Sequence, residues 1–285
     1  MPRWLHKYGP KKYEFFEHLA ALLMRFFNKL SYVRVVQLFD LLGIKCPSKS
    51  ALQATSAKLG SVFWQKVLKA TSGTPYIVAI DSTCFSRTNP SYHYLKRIDG
   101  KIPKVPVKLS CAFDTRKKKF CAAKIRVLKA HDIKDAKHLL KHSNPKIGVL
   151  DKAYKSEKLN EYAHERKIIL MVPKKTNEVK PGFFTKKMNK TFRLRTYHRR
   201  ELVESGNSAI KRKYGSSVSS RKARTIRTEI YGRLTCHNLF LWLNRLSGWS
   251  RCRSGDIRHW LPCLCGLALR SLLCDLRSFP SWLRD

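Results

Sequence analysis

Apolar residues recur at helical spacing early in the chain. Phe15, Leu19, Leu22 and Phe26 step by three or four, and Val35, Leu38 and Leu42 repeat the pattern, which predicts amphipathic helices between residues 13 and 70. The second run stops at Gly43, the chain turns through Ile44, Lys45, Cys46 and Pro47, and Ser48 with Ser50 can cap a new helix running toward Leu59. Helix, short turn, helix is the outline of a helix-turn-helix, whose second helix would offer Ser48, Lys49, Ser50 and Gln53 to base edges and phosphates. The same two helices serve equally well as plain packing elements of a small bundle.

Past Ser72-Gly73-Thr74-Pro75 the period changes from helix to strand. Tyr76 to Ile80 is a short apolar run ending at Asp81. Val107, Leu109, Cys111 and Phe113 alternate with other residues, Asp114 to Lys117 supply a turn, and Ala123, Ile125 and Val127 alternate again, predicting an antiparallel hairpin with Asp114 as a turn residue. A helix is expected at Ile133 to His142, a strand at Ile147 to Leu150 ending at Asp151, a helix at Ser156 to Arg166, a strand at Ile168 to Val172 and a long helix over about Arg199 to Tyr214. The order is mixed α/β, with a small all-α, helix-turn-helix-like domain over 1–72 for DNA binding or dimerisation, an α/β domain over 73–248 and an atypical end over 249–285.

Charge then narrows the function. The 285 residues are 43% hydrophobic, enough to bury a core, yet the formal net charge is +40, far beyond what solubility requires. A polyanionic partner is implied. Nucleic acid fits better than a membrane, because the charge-free window Trp260 to Leu269 is half the ~20 residues a bilayer span needs. The first residues, MPRWLHKYGPKKYEFF, lack the continuous apolar run of an export signal, and nine Cys without a CxxC pair read as reduced thiols, so a cytoplasmic protein is expected. No Lys follows Lys222, and four of the Cys (252, 263, 265 and 274) fall in the last segment. That end reads either as a read-through or frame-shifted terminus or as an apolar helix, Leu264 to Leu276, used in dimer contacts.

Asp81 and Asp151 each follow a short apolar run, so both would leave buried strands at their C-terminal ends, where α/β sheets place ligands. Two converging carboxylates repel, and Mg²⁺ or Mn²⁺ would compensate them; either residue alone reads as a loop cap. Tyr197, Arg200, Glu204 and Lys211 fall within a ~60° stripe of one helix face at about 100° per residue. Arg200 and Glu204 are also a natural i, i+4 ion pair, and Glu201 lies close to the stripe, so spacing alone does not select Glu204. His131, His138, His142 and His198 lack an acidic or Cys partner at metal-ligand spacing.

Together, AIDSTCF around Asp81, VLDKAY around Asp151 and the spacing Tyr197, Arg200, Glu204, Lys211 resemble the catalytic segments of DDE transposases from bacterial and archaeal insertion sequences, the group with a Tyr, Arg, Glu, Lys signature. The resemblance covers about residues 74 to 242. It implies an RNase H-like mixed sheet flanked by helices, in which Asp81, Asp151 and Glu204 hold two Mg²⁺ (or Mn²⁺) ions for end cleavage and strand transfer. Tyr197, Arg200 and Lys211 would position phosphates. Implied partners are double-stranded DNA, both terminal inverted repeats and target, and a second copy of the chain; the implied location is the nucleoid of a prokaryotic cytoplasm. Between Lys186 and Arg227, 14 Lys or Arg stand against Glu201 and Glu204, as a carboxylate site facing DNA requires. The rival readings are a noncatalytic DNA-binding protein, whether repressor or inactivated transposase, and an RNase H-like nuclease without strand transfer.

Overall fold

The structure, a computed structural model, describes residues 3–4, 11–88, 105–128, 130–174 and 180–246. The end at 249–285, with its expected Leu264 to Leu276 helix, lies outside the described residues. Four helices open the chain: α1 (Phe15–Phe27), α2 (Tyr32–Leu41), α3 (Lys49–Lys58) and α4 (Ser61–Ser72). The starts of the first three are set by side chains that satisfy otherwise orphaned amides. Glu17 accepts from the Glu14 amide at 2.6 Å, Ser31 from Arg34 at 3.2 Å and Ser48 from Ala51 at 3.4 Å. Gly43 takes φ +63°, which lets the chain leave α2 and turn toward α3.

The sheet contains β1 (Ile77–Arg87), β2 (Val107–Asp114), β3 (Lys119–Arg126), β4 (Ile147–Leu150), β5 (Ile169–Met171) and β6 (Ser217–Val218). The order is β3-β2-β1-β4-β5, with β6 pairing on β1. β2 is antiparallel to both β1 and β3, whereas β4 and β5 run parallel to β1. Helices α5 (Ile133–Ser143), α6 (Glu157–Glu165), α7 (Phe183–Thr191), α8 (Leu194–Tyr197), α9 (Glu201–Tyr214) and α10 (Ala223–Leu246) complete the chain, with a 3₁₀ turn at His198–Arg200 between α8 and α9. The expected mixed α/β sheet flanked by helices is therefore the fold that forms.

Strand alternation divides the core between the two faces. Ala79, Cys111, Ala123 and Ile125 pack with α1, α4, α9 and α10 in one buried cluster, while Val78, Ile80, Ala112 and Ala122 pack with α5 and α6 in another. The N-terminal helices thus share their core with the sheet. The Trp64 ring of α4 stacks on Tyr231 of α10 at 6.3 Å, and α1 crosses α10 so closely at Gly232 that an added Cβ would overlap Phe26. No described helix is long and apolar enough to cross a membrane.

Two expectations need correction. β1 does not stop at Asp81 but continues to Arg87, and the segment from Tyr197 to Lys211 is not one regular helix, because the 3₁₀ turn intervenes before α9 begins at Glu201.

β1 is also shared unevenly along one edge. The Tyr76 carbonyl accepts from Ile147 at the start of β4, and the Ser86 amide donates to Ser216 beside β6. Both are even-numbered, so both groups point to the same edge. β4 pairs Ile77 to Ile80 and β6 pairs Ser86 and Arg87. Between them the Asp81 to Phe85 stretch of that edge has no strand partner among the described residues.

Candidate active site

Asp81 lies where β1 loses its parallel neighbour. Ile80 is in register with Leu150, the last residue of β4, so Asp81 and Asp151 are the next residues on two adjacent chains. Asp151 accepts from the Lys152 amide at 2.7 Å, which starts the 3₁₀ turn Lys152–Tyr154 and fixes the direction in which the chain leaves the sheet.

The third acid arrives on α9. Val203, Gly206, Asn207 and Ile210 are its buried face. At Gly206 an added Cβ would stand 2.8 Å from Phe113 of β2, so the absence of a side chain seats the helix against the sheet. Asn207 accepts from the Cys111 thiol at 3.3 Å. Glu204 projects from the exposed side and pairs with Arg200 at 2.8 Å. The turn carrying Arg200 packs on both β1 and β4.

Charge draws these groups into one neighbourhood. Burial raises the Asp81 carboxyl above its ordinary value, and Glu204 and Asp132 push it the same way against the Ser82 amide and Arg200. Burial opposes the Arg200 charge, but Glu204, Tyr197, Asp151 and Asp81 all face it and raise its pKa. Burial likewise raises Tyr197, whose hydroxyl hydrogen-bonds Arg200 and feels Asp151 and Glu204.

Asp81, Asp151, Tyr197, Arg200 and Glu204 are therefore neighbours. Glu204, and not Glu201, is the acid whose charge acts on Asp81, Tyr197 and Arg200. Lys211 is two helical turns further along α9, its ammonium 5.7 Å from the Phe85 ring centroid and facing the far half of β1. Ser48, Lys49, Ser50 and Gln53 are all exposed at the start of α3. Asp114 accepts from the Arg116 and Lys117 amides at 2.8 and 3.1 Å, as a hairpin-turn residue does. The His138 and His142 rings lie 4.3 Å apart on α5, tilted 54° to each other.

Sequence reasoning missed Asp132. It precedes α5, accepts from Ser82 at 2.8 Å and is ion-paired with Lys108. The available signal was its place before the apolar helical pattern Ile133, Ala136, Leu139, Leu140, a position that favours Asp.

The donor set suits a hard divalent cation: carboxylate oxygens, half-buried, with more negative charge than Arg200 alone offsets. As placed, no three His, Cys, Asp or Glu side chains among the described residues stand close enough to share one ion. Glu204 is engaged with Arg200 and, with its side chain 52% exposed, is free to rotate.

Residues 72–239 match the family model described as "Transposase DDE domain". The chain belongs to that transposase family. No curated relative matches it. Among solved structures, a piggyBac transposase synaptic complex with hairpin DNA is similar at 10% identity and a TM-score of 0.47, over 99% of this chain and 78% of that one. The match to the transposase domain begins at the end of α4 and ends within α10, so it contains the whole sheet and all the residues of the acidic site.

Proposed function

We propose that this transposase cleaves the ends of its own mobile element and joins them to target DNA, with Asp81, Asp151 and Glu204 holding two Mg²⁺ or Mn²⁺ ions. One observation carries the reading: the β1–β4 register makes Asp81 and Asp151 adjacent, and the 3₁₀ turn and α9 bring Arg200 and Glu204 to bear on them. Divalent cations there would stabilise charge on the attacking and leaving oxygens of a phosphodiester.

The chain's own residues do the rest. Asp81 is fixed by β1, and Asp151 by its bond to the Lys152 amide. Glu204 turns from Arg200 toward Asp81, and the released Arg200 offers its planar fork to a phosphate. Tyr197 orients Arg200 through its hydroxyl. Lys211 holds the DNA backbone further along, and the exposed start of α3 contacts the terminal repeat. Two copies of the chain bring two ends together, in the prokaryotic cytoplasm where the element resides.

The test is an end-nicking and strand-joining assay on DNA carrying the repeats that flank the gene. With Mg²⁺ the parent should nick and join, and Asp81→Asn, Asp151→Asn and Glu204→Gln should each do neither while still binding DNA. A parent that binds the ends and never cuts would assign DNA binding alone; cutting without joining of a precut end would assign a nuclease. Several phosphate contacts also predict affinity that falls steeply as salt rises.

A further inference from the structure

Ser82 sits on the opposite side of β1 from the acid it follows. Side chains alternate along the strand, so Val78 and Ile80 enter the core on the α5 face while Ala79 and Phe85 enter the other. Ser82 therefore points to the α5 face and Asp81 to the α9 face, one peptide apart. The Ser82 amide lies against the Asp81 carboxylate, and the Ser82 hydroxyl donates to Asp132 at 2.8 Å. β4 has ended at Leu150 by this point, so among the described residues β1 is paired here with β2 alone. What fixes Ser82 fixes the aim of Asp81.

Asp132 is placed for that contact. An Asp just ahead of a helix ordinarily caps it, but the Asp132 side chain makes no capping bond to α5. Its carboxylate pairs instead with Lys108 of β2. The Lys108 ammonium also donates to the Ala130 carbonyl at 2.6 Å, which ties the approach to α5 down on the sheet. Asp132 is thus held in place by one strand and spent on the next.

The same hydroxyl reaches the second aspartate. Having given its proton to Asp132, the Ser82 oxygen can only accept. The Tyr154 hydroxyl is buried beside it with no other partner, and Tyr154 ends the 3₁₀ turn that Asp151 starts. Tyr154, Ser82, Asp132 and Lys108 form one chain of donors and acceptors that links the segment after Asp151 to the segment after Asp81. A matching bond next door lacks that link. Ser110, opposite Ser82 in register, donates to Asp135 at 2.9 Å, but Asp135 is buried against Arg126 and neither neighbour of Ser110 is an acid.

We propose that Asp132 is a positioning residue for the transposase chemistry: through Ser82 and Tyr154 it holds the Asp81 and Asp151 carboxylates at the separation that their cations require. The inference rests on the reading of that site as a divalent-metal centre, and it deepens that reading by one residue. Groups that orient metal ligands from behind change metal affinity or rate by about 10–100-fold when removed.

The test is Mn²⁺ titration of the full chain, followed by loss of the free-ion paramagnetic resonance signal, with DNA left out so that cleavage plays no part. The parent should bind Mn²⁺ at a site that Asp81→Asn removes. Ser82→Ala and Asp132→Asn should each weaken that binding about tenfold, and Ser82→Thr, which restores the hydroxyl, should recover it. In the cleavage assay the two weakened variants should lose kcat and keep the parent KM for DNA. Their double variant should be no worse than either alone, because one chain of bonds is broken once. Ser110→Ala should lower the unfolding midpoint and leave Mn²⁺ binding where it was. Mn²⁺ binding unchanged in Ser82→Ala and Asp132→Asn, additive losses in the double variant, or an equal loss in Ser110→Ala would overturn the proposal and leave the metal site standing. Parent Mn²⁺ binding that survives Asp81→Asn would overturn the metal reading itself, and this inference with it.

Discussion

Two acid–arginine pairs, each four residues apart on a helix, have opposite surroundings. Glu229 and Arg233 of α10 are buried, their side chains 3% and 8% exposed. Glu229 accepts from the Ser219 and Ser220 amides as well as from Arg233, and Arg233 also donates to the Gly215 and Ser217 carbonyls at 3.0 and 2.8 Å. Burial works against the Glu229 charge, but Arg233 and the serine donors prevail and hold its carboxyl below the ordinary range. Glu204 and Arg200 form an open pair in which one cation faces three acids, and the neighbouring Asp81 is raised. A carboxylate with every lone pair answered is part of the scaffold. One kept short of positive charge is of the kind by which perturbed acids mark candidate functional sites.

Each variant below breaks one side of that contrast, and the largest expected effect comes first. Glu204→Gln should abolish end cleavage in the nicking assay while changing the unfolding midpoint little. Glu229→Ala should do the reverse, removing about 3–5 kcal/mol of stability in denaturant titration because it leaves Arg233 buried and unpaired. Gly206→Ala should cost about 1–3 kcal/mol by forcing Phe113 aside, and it should also depress cleavage by shifting the helix that carries Glu204.

Asp81→Asn should stabilise the fold in metal-free buffer. A carboxyl raised by folding binds more protons in the native than in the unfolded state between its ordinary value of 3.8 and its native value. Parent stability therefore falls as pH rises through that window, and the full penalty stands above it. Melting curves should show the variant above the parent at pH 7 and level with it below about pH 3.8. Arg200→Ala should change stability by less than about 1 kcal/mol, as open pairs do; a larger loss would mean that the pair is scaffold after all.

Much of the sheet was legible because its strands are short and fully apolar on at least one face. The β2–β3 hairpin, β4 with Asp151 at its end, α5 and α6 all follow from period and punctuation. β1 was read too short, since its second half, Ser82-Thr83-Cys84, turns polar once β4 ends, and hydropathy registers cover rather than pairing. α7 was missed because little of FFTKKMNKT beyond Thr185 and Met188 is buried. α10 escaped for the opposite reason: Thr228, Glu229, Arg233, Thr235 and Asn238 are buried alongside Ile230 and Leu234, which erases the apolar stripe. Of the acidic site, Asp81 and Asp151 were visible as acids that close short apolar runs. Glu204 was told from Glu201 by the signature spacing it shares with Tyr197, Arg200 and Lys211, whereas the closeness of Asp132 to the site shows only in its contact with Ser82.

The uneven edge of β1 sets a length scale. Five residues without a strand alongside, at about 3.3 Å each, leave a slot roughly 17 Å long with Asp81 at one end and Phe85 beneath Lys211 at the other. A duplex rises about 3.4 Å per base pair along its axis, so DNA laid along this stretch of edge would present about five base pairs between the carboxylate at one end and the ammonium at the other.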